Sequence, residues 1–184
     1  MENVKNGKPE NKRKGRMLTG MFPDRESSEN AYQTLHDRGY MKEDINLLMS
    51  DDTRKKHFQD EDDHETEIGT KAAEGAGKGS AIGGTVGAIA GIVAAIGTSL
   101  VIPGLGVLIA GPIAAGLAGA GAGGITGGII GALIGSGIPE ARAKLYESGI
   151  KKGKVVIGVY PRHEEDAKEI EESWRANNGY EIHR

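Results

Sequence analysis

KVVIGVY, at residues 154–160, is the most strand-like stretch of this 184-residue chain. It is a continuous run of β-branched and other apolar residues between a lysine and a tyrosine, and it is long enough to cross a sheet. We therefore predict that it forms a central strand, and we assign the other elements outward from it.

A helix and a further strand are predicted after the central strand. The helix covers residues 163–177 and ends at an Asn-Gly pair. Its Ala167, Ile170 and Trp174 recur at helical spacing, which predicts one apolar face, and Trp174 is interpreted as a core residue. Residues 180–183 are expected to form a final edge strand.

A strand–helix–strand pattern is also predicted near the beginning of the chain. Its strands are residues 17–22 (MLTGMF) and 44–50 (DINLLMS), and its helix begins after an N-cap at Asp24 and ends before Gly39. Alternate apolar positions predict that the second strand is half-buried. These positions are Ile45, Leu47 and Met49. The helix carries its apolar face at Ala31, Tyr32 and Leu35.

A short helix is predicted immediately before the central strand. It starts at Pro139, ends at Gly149, and carries a narrow apolar stripe at Ala141, Leu145 and Tyr146. The resulting order is β-α-β, an insertion, a short α, and β-α-β. This order predicts an α+β fold, a ferredoxin-like split βαβ sandwich that is interrupted by the insertion.

The predicted organisation has five parts, separated by changes in composition. They are a disordered basic tail (1–16), the first half of the ferredoxin-like domain (17–50), a charged linker (51–74), a glycine-zipper helical hairpin (75–138) and the second half of the domain (139–184).

Two columns of glycine at every fourth position distinguish the predicted hairpin, and no charged residue occurs between Lys78 and Glu140. Residues four apart lie on nearly the same face of a helix, so each column would leave a groove that another helix can approach closely. The predicted helix-packing residues are Gly75, Gly79, Gly83, Gly87, Gly91, Gly119, Gly123, Gly127, Gly131 and Gly135.

The length and flanks of the hairpin predict a membrane location. The 24 residues of Gly79–Ile102 would span about 36 Å as a helix, more than the ~30 Å of a hydrocarbon core. A Pro-Gly turn then leads into a second helical stretch at Val107–Ile138. Because basic residues flank the hairpin on both sides and are absent from the turn, both termini are expected in the cytoplasm. The alternative is a soluble assembly held by the glycine grooves.

The remaining composition predicts no catalytic, cofactor or metal site. The chain has no cysteine, and its formal net charge of -3 does not favour nucleic-acid binding. None of the five histidines has metal-site spacing with another, and no nucleophile or phosphate-loop motif occurs. The histidines are His36, His57, His64, His163 and His183.

Two segments of the chain resemble a bacterial family of general stress proteins of the heat-induced, 17M-like type. They are LTGMFPDRESSENAYQTLHDRGYMKEDINLLMSDD (18–52) and IPEARAKLYESGIKKGKVVIGVYPRHEEDAKEIEESWRANNGYEI (138–182). The shared pattern includes the corner at Gly39-Tyr40 and the turn after Gly149. The resemblance implies stress-linked expression and a glycine-rich segment between the halves, and it carries over no site residues.

The expected function is that of a non-enzymatic, membrane-associated stress protein that self-associates through the hairpin. Membrane lipid and further copies of the chain are the expected partners. The alternative is a cytoplasmic homo-oligomer whose ferredoxin-like domain has a regulatory or ligand-binding role, which is an analogy from fold alone.

Overall fold

The computed structural model describes residues 16–58, 100–102, 106–119 and 128–184, and these form a mixed helix-and-sheet fold of the α+β class. The strands are β1 (Leu18–Phe22), β2 (Ile45–Ser50), β3 (Leu100–Ile102), β4 (Val107–Ala110), β5 (Val155–Val159) and β6 (Tyr180–His183). The helices are α1 (Arg25–Asp37), α2 (Asp51–His57), α3 (Pro112–Gly119), α4 (Gly128–Gly135), α5 (Glu140–Lys151) and α6 (Glu164–Ala176), and a 3₁₀ turn covers Lys42–Asp44.

The six strands form one sheet in the order β3-β4-β2-β5-β1-β6, and every neighbouring pair is antiparallel. Strand β5 lies between β2 and β1, so the predicted central position of KVVIGVY is confirmed. Its Ile157 faces Gly20 of β1 on one side and Leu47 of β2 on the other. The predicted edge position of residues 180–183 is also confirmed.

Helices cover both faces of the sheet, which gives the molecule two apolar cores. Helices α1 and α6 contact each other over the first core, whereas α3, α4 and α5 contribute to the second. The first core includes Phe22, Leu35, Ile157, Ile170 and Trp174. The second core includes Leu48, Ile109, Ile129, Leu133, Tyr146 and Val156.

The local signals of the first helix and the last helix predicted the structure correctly. The Asp24 carboxylate accepts a hydrogen bond of 2.8 Å from the backbone N–H of Ser27, as an N-cap should. Gly39 follows the helix with φ +77°, a conformation that glycine adopts without strain. On α6, Trp174 is fully buried and its indole N–H donates to the carbonyl oxygen of Ala31 at 3.2 Å.

Strand β2 was predicted to be half-buried, but it is buried on both faces. Leu47 and Met49 lie in the first core as expected, whereas Leu48 lies in the second core and is also buried. The alternation therefore predicted the wrong burial for one face of β2, because the second layer of helices covers the face that was expected to contact solvent.

The beginning of the predicted charged linker is a helix, so that part of the linker assignment is wrong. The Ser50 hydroxyl caps α2 by accepting a hydrogen bond of 3.0 Å from the Thr53 N–H. Acidic residues occupy the first turn of α2 and basic residues its last turn, an order that matches the helix dipole. Phe58, which follows the helix, is buried in the first core.

The predicted continuous helices of the glycine-rich segment are wrong at Leu100–Ile102 and Val107–Ala110, which form β3 and β4. The two strands pair with each other, and β4 also pairs with β2, so this part of the segment extends the sheet. The described residues of the second stretch form β4 and the two eight-residue helices α3 and α4. Among the helices that the structure describes, none is long and apolar enough to cross a bilayer.

The helix before the central strand extends further than predicted. It runs to Lys151 and includes Gly149, which was expected to end it. A Cβ atom at Gly149 would lie 2.1 Å from the Met21 sulfur, so glycine lets the helix approach the sheet closely. Of the predicted stripe, Tyr146 is buried, but Leu145 is largely exposed and Ala143 and Ile150 take the inner positions.

Candidate functional site

The described part of the glycine-rich segment leaves the sheet at a sharp turn after β4. All four residues of β4 are buried, and Gly111 follows with φ +90°. A Cβ atom at Gly111 would lie 2.1 Å from the carbonyl oxygen of Ile45, so only glycine fits here. Pro112 then opens α3, where its fixed φ suits the first helical position.

A buried amide on β2 fastens the start of α3 to the sheet. The Asn46 side chain is fully buried, and its Oδ1 accepts a hydrogen bond of 2.8 Å from the Ile113 N–H. Its Nδ2 donates to the carbonyl oxygen of Gly158 on β5 at 3.3 Å. A helix N-terminus has backbone N–H groups without partners in the helix, and Asn46 satisfies one of them in the interior.

Helix α4 packs its apolar residues inward on the second core. Ile129, Ala132 and Leu133 are buried, and α4 contacts α5 along its length. Its end is fixed by the Ser136 carbonyl oxygen, which accepts a 3.3 Å hydrogen bond from the Tyr160 hydroxyl. The inner side of the segment is therefore part of the folded core.

Several exposed or half-buried positions of α3 and α4 carry no charge, and we call them together the outer glycine face. It consists of Ala115, Gly116, Gly131, Ile134 and Gly135, all exposed except Gly131, which is half-buried. A Cβ atom at any of the three glycines would lie more than 4 Å from the surrounding described atoms. The glycines here do not serve packing within the described chain, and the face leaves backbone accessible to an approaching surface.

The structure describes three of the ten predicted helix-packing glycines. Gly119 is the last residue of α3, and Gly131 and Gly135 lie on the outer glycine face. The other seven lie outside the described residues: Gly75, Gly79, Gly83, Gly87, Gly91, Gly123 and Gly127. Their role in helix packing stays a prediction.

A cavity of about 470 Å³ lies at the loop between β5 and α6. Its lining residues are Arg16, Pro161, Arg162, His163, Glu164, Ala167 and Arg184. Two of its cationic groups are already engaged, since Arg184 pairs with Glu164 at 2.6 Å and the Arg162 guanidinium donates to the carbonyl oxygen atoms of Arg38 and Gly39. Two of the three arginines that line the cavity are therefore held by protein partners.

The Arg162 guanidinium also stacks on the Tyr40 ring, with 4.4 Å from its central carbon to the ring centroid. The Tyr40 hydroxyl donates to the Asp166 carboxylate and accepts from the Arg162 backbone N–H at 3.0 Å. Burial, together with the hydrogen bond to Asp166, raises the pKa of Tyr40 to about 12. These contacts join the end of α1 to the start of α6, so the predicted Gly39-Tyr40 corner is a structural joint.

No protein-family model matches this chain, and no curated protein or solved structure was found to match it. Within the described ranges, no group of three or more histidine, aspartate or glutamate side chains is placed to hold a metal ion. The outer glycine face is therefore the candidate site that the geometry distinguishes most clearly.

The two residues that build the turn after β4, Asn46 and Gly111, were not predicted from the sequence. Asn46 is the one amide within the apolar run INLLMS, and a polar residue in such a run signals a buried partner. Gly111 precedes a proline, a pair typical of a turn. Neither signal identifies its partner, because Asn46 and Ile113 are 67 positions apart.

Proposed function

We propose that this chain is a non-enzymatic stress protein that works by self-association through the outer glycine face. The observation that carries the proposal is that a Cβ atom at Gly116, Gly131 or Gly135, on two uncharged helices, would meet no atom of the described residues within 4 Å. Each glycine in a helix interior costs about 1 kcal/mol relative to alanine. These glycines make no close contact within the described residues, and the approach of a second surface would explain why glycine occupies these positions despite its cost.

A ferredoxin-like core is part of the proposal. The partial order β2-β5-β1-β6, antiparallel throughout and with α1 and α6 together on one face, supports it. Strands β4 and β3 then extend the core beyond β2, and α3 and α4 cover the face that an isolated ferredoxin-like sheet leaves open. The stress-linked role rests on the resemblance of residues 18–52 and 138–182 to the stress-protein family.

Association with a membrane is the less supported part of the proposal. The outer glycine face is uncharged and exposes Ile134, which suits contact with lipid as well as contact with protein. Helices α3 and α4 have eight residues each, about 12 Å of helix, so they would lie at a lipid surface and not cross it.

A ligand-binding role is the alternative, and the cavity beside α6 is where it would reside. We favour self-association because Arg162 and Arg184 of the cavity bind protein partners, whereas Gly116, Gly131 and Gly135 have no described atom within 4 Å of an added Cβ atom.

The test compares Gly131→Leu and Gly135→Leu with the unmodified protein by native mass and thermal unfolding. Leucine has room at both positions and is the better helix former, so each substitution should stabilise the monomer by up to about 1 kcal/mol. It should nevertheless lower the native mass, because it holds an approaching backbone away. Ala176→Leu, exposed on α6 at the other face of the sheet, is the matched control.

Equal native masses for all four proteins would contradict the proposal. The same samples, fractionated with and without carbonate, test lipid association. Recovery of the whole protein in the supernatant would remove the membrane from the proposal and leave self-association standing.

A further inference from the structure

Helix α6 is followed by an asparagine–glycine pair, and the structure gives a reason for each residue. Asn178 has φ +60°, a left-handed conformation that asparagine adopts more readily than most residues. The N–H of Gly179 donates to the carbonyl oxygen of Trp174 at 2.7 Å, the bond that closes a Schellman cap. A Cβ atom at Gly179 would lie 2.6 Å from that oxygen and 2.8 Å from Cε1 of Phe22, so a side chain has no room here.

The same pair is chemically labile when its backbone is free to move. The backbone nitrogen of Gly179 attacks the side-chain carbonyl carbon of Asn178, the bond from that carbon to Nδ2 breaks, and ammonia leaves with the Gly179 proton. Water then opens the cyclic imide to aspartate or isoaspartate. Glycine hinders this attack least, because it has no side chain beside the nitrogen. Asn178 is exposed, so water reaches the reacting group.

We infer that Asn178 is a site of spontaneous deamidation and that the docking of β6 controls its rate. In the folded chain the attacking nitrogen is held by its hydrogen bond to Trp174, with the Phe22 ring close by. The reaction therefore requires Gly179 to leave this position, and Gly179 leads directly into β6. The inference does not depend on the proposed self-association.

The way in which β6 is attached suits local opening. In the described sheet it is an edge strand with an irregular register to β1, and Glu181 has φ +50°, a strained value for a long side chain. Two hydroxyl groups hold the strand: Tyr146 donates to the Glu181 carbonyl oxygen at 2.7 Å, and Thr19 donates to that of His183 at 3.3 Å. Elements with exposed residues and few buried contacts open at a lower free energy than the core.

The reaction product weakens the structure that slowed its formation. Isoaspartate carries the main chain through the former side chain and adds a methylene before Gly179, which displaces Gly179 from the narrow space beside Trp174 and Phe22. Either product also places a negative charge at the C-terminal end of α6, where the helix dipole disfavours it. A copy in which β6 has opened is thereby modified permanently, and its β6 docks less firmly afterwards.

Peptide mapping by mass spectrometry measures the rate at Asn178. The protein is incubated at mildly alkaline pH, folded in buffer or unfolded in urea. Another Asn-Gly pair, Asn6-Gly7, gives the intrinsic rate in urea. We expect both pairs to react at similar rates in urea, and Asn178 to react at least about tenfold more slowly in the folded protein. Equal rates at Asn178 in buffer and urea, or no reaction there in urea while Asn6 reacts, would overturn the inference.

Two variants separate opening of β6 from unfolding of the whole chain. Tyr146→Phe removes a bond that holds β6, so it should raise the rate at Asn178 in buffer several-fold and leave the rate in urea unchanged. Asn46→Leu weakens the attachment of α3 at a distance from β6, so it should leave both rates unchanged. If the two variants raise the rate in buffer equally, β6 does not control it.

The effect of the product is tested with Asn178→Gly, which keeps a residue suited to positive φ and removes the reacting amide. After the same incubation, the unmodified protein should lose unfolding free energy in proportion to its converted fraction, whereas Asn178→Gly should keep its initial value. Equal losses in both proteins would show that the product does not weaken the docking of β6.

Discussion

At the scale of single residues, Gly111 is the position that tolerates substitution least. Its φ of +90° and the 2.1 Å between a Cβ atom and the Ile45 carbonyl oxygen exclude any side chain without a backbone shift. We predict that Gly111→Ala destabilises the fold by more than about 2 kcal/mol, measured by urea unfolding.

Gly116 is the matched control for Gly111. It lies on α3, where an added Cβ atom would meet no described atom within 4 Å, so Gly116→Ala should stabilise the monomer by about 0.5–1 kcal/mol. Equal effects of the two substitutions would show that the turn after β4 is not formed as described.

We predict that the free energy of unfolding falls at high pH because of three buried tyrosines. Burial is the main cause that raises the pKa of Tyr32, Tyr40 and Tyr146 to about 12, from 10.0 in an unfolded chain. The folded state therefore retains these protons where the unfolded state releases them. This contribution to the unfolding free energy is complete below pH 10 and is lost as the pH rises towards 12.

The measurement is the unfolding free energy from pH 9 to pH 12, with Tyr146→Phe beside the unmodified protein. The substitution removes the hydrogen bond that the Tyr146 hydroxyl donates to the Glu181 carbonyl oxygen at 2.7 Å, so it lowers stability at neutral pH. Its further loss above pH 10 should be smaller, because one ionising phenol is absent. An unchanged slope would contradict the assigned burial of Tyr146.

At the scale of elements, the attachment of α3 depends on the Asn46 amide. Asn46→Leu would leave the Ile113 N–H buried without an acceptor, at a cost of about 1–3 kcal/mol. We predict that loss in urea unfolding, together with faster hydrogen exchange at the Ile113 amide. Gln33→Leu, which removes an exposed hydrogen bond to Asp37, is the control and should change stability by less than about 0.5 kcal/mol.

The elements that sequence analysis predicted well have local signals. The Asp24 side chain binds an N–H only three residues further along the chain, and Gly39 adopts a left-handed conformation. Trp174 continues the helical spacing of Ala167 and Ile170. The same is true of the central strand, whose continuous apolar run matches burial on both faces.

The elements that were wrong depend on distant partners. Val107–Ala110 is an uncharged apolar run, and such a run suits a buried strand as well as a helix in lipid, because periodicity does not separate the two. It is a strand because β2 offers it an antiparallel neighbour, more than 50 positions away in the chain. Helix α2 was missed because its charges, arranged along the helix dipole, also resemble a solvated run.

The glycine content of the candidate site could be predicted from the sequence, but the arrangement of its glycines in space could not. The columns of glycine gave Gly131 and Gly135 correctly as residues of a helix. Their outward position could not be predicted, because it depends on the burial of Ile129 and Leu133 of the same helix in the second core. The sheet's second face was not foreseen, because the ferredoxin-like pattern accounts for helices on one face only.

At the scale of the whole molecule, the described part of the glycine-rich segment is built into the fold. It supplies β4 as a neighbour of β2, the donor that satisfies Asn46, and the cover of the second core. Burying one large apolar side chain contributes about 1.5–3 kcal/mol, against a typical total stability of about 5–15 kcal/mol. Loss of Ile109, Ile129 and Leu133 together is therefore expected to remove most of the stability.

The decisive experiment is urea unfolding of a deletion variant in which a short flexible linker joins Phe58 to Pro139, so that α2 is kept, with Trp174 fluorescence as the signal. The account predicts that the variant lacks the cooperative transition of the full chain, or retains less than half of its unfolding free energy. A cooperative transition as stable as that of the full chain, with Trp174 buried, would contradict it.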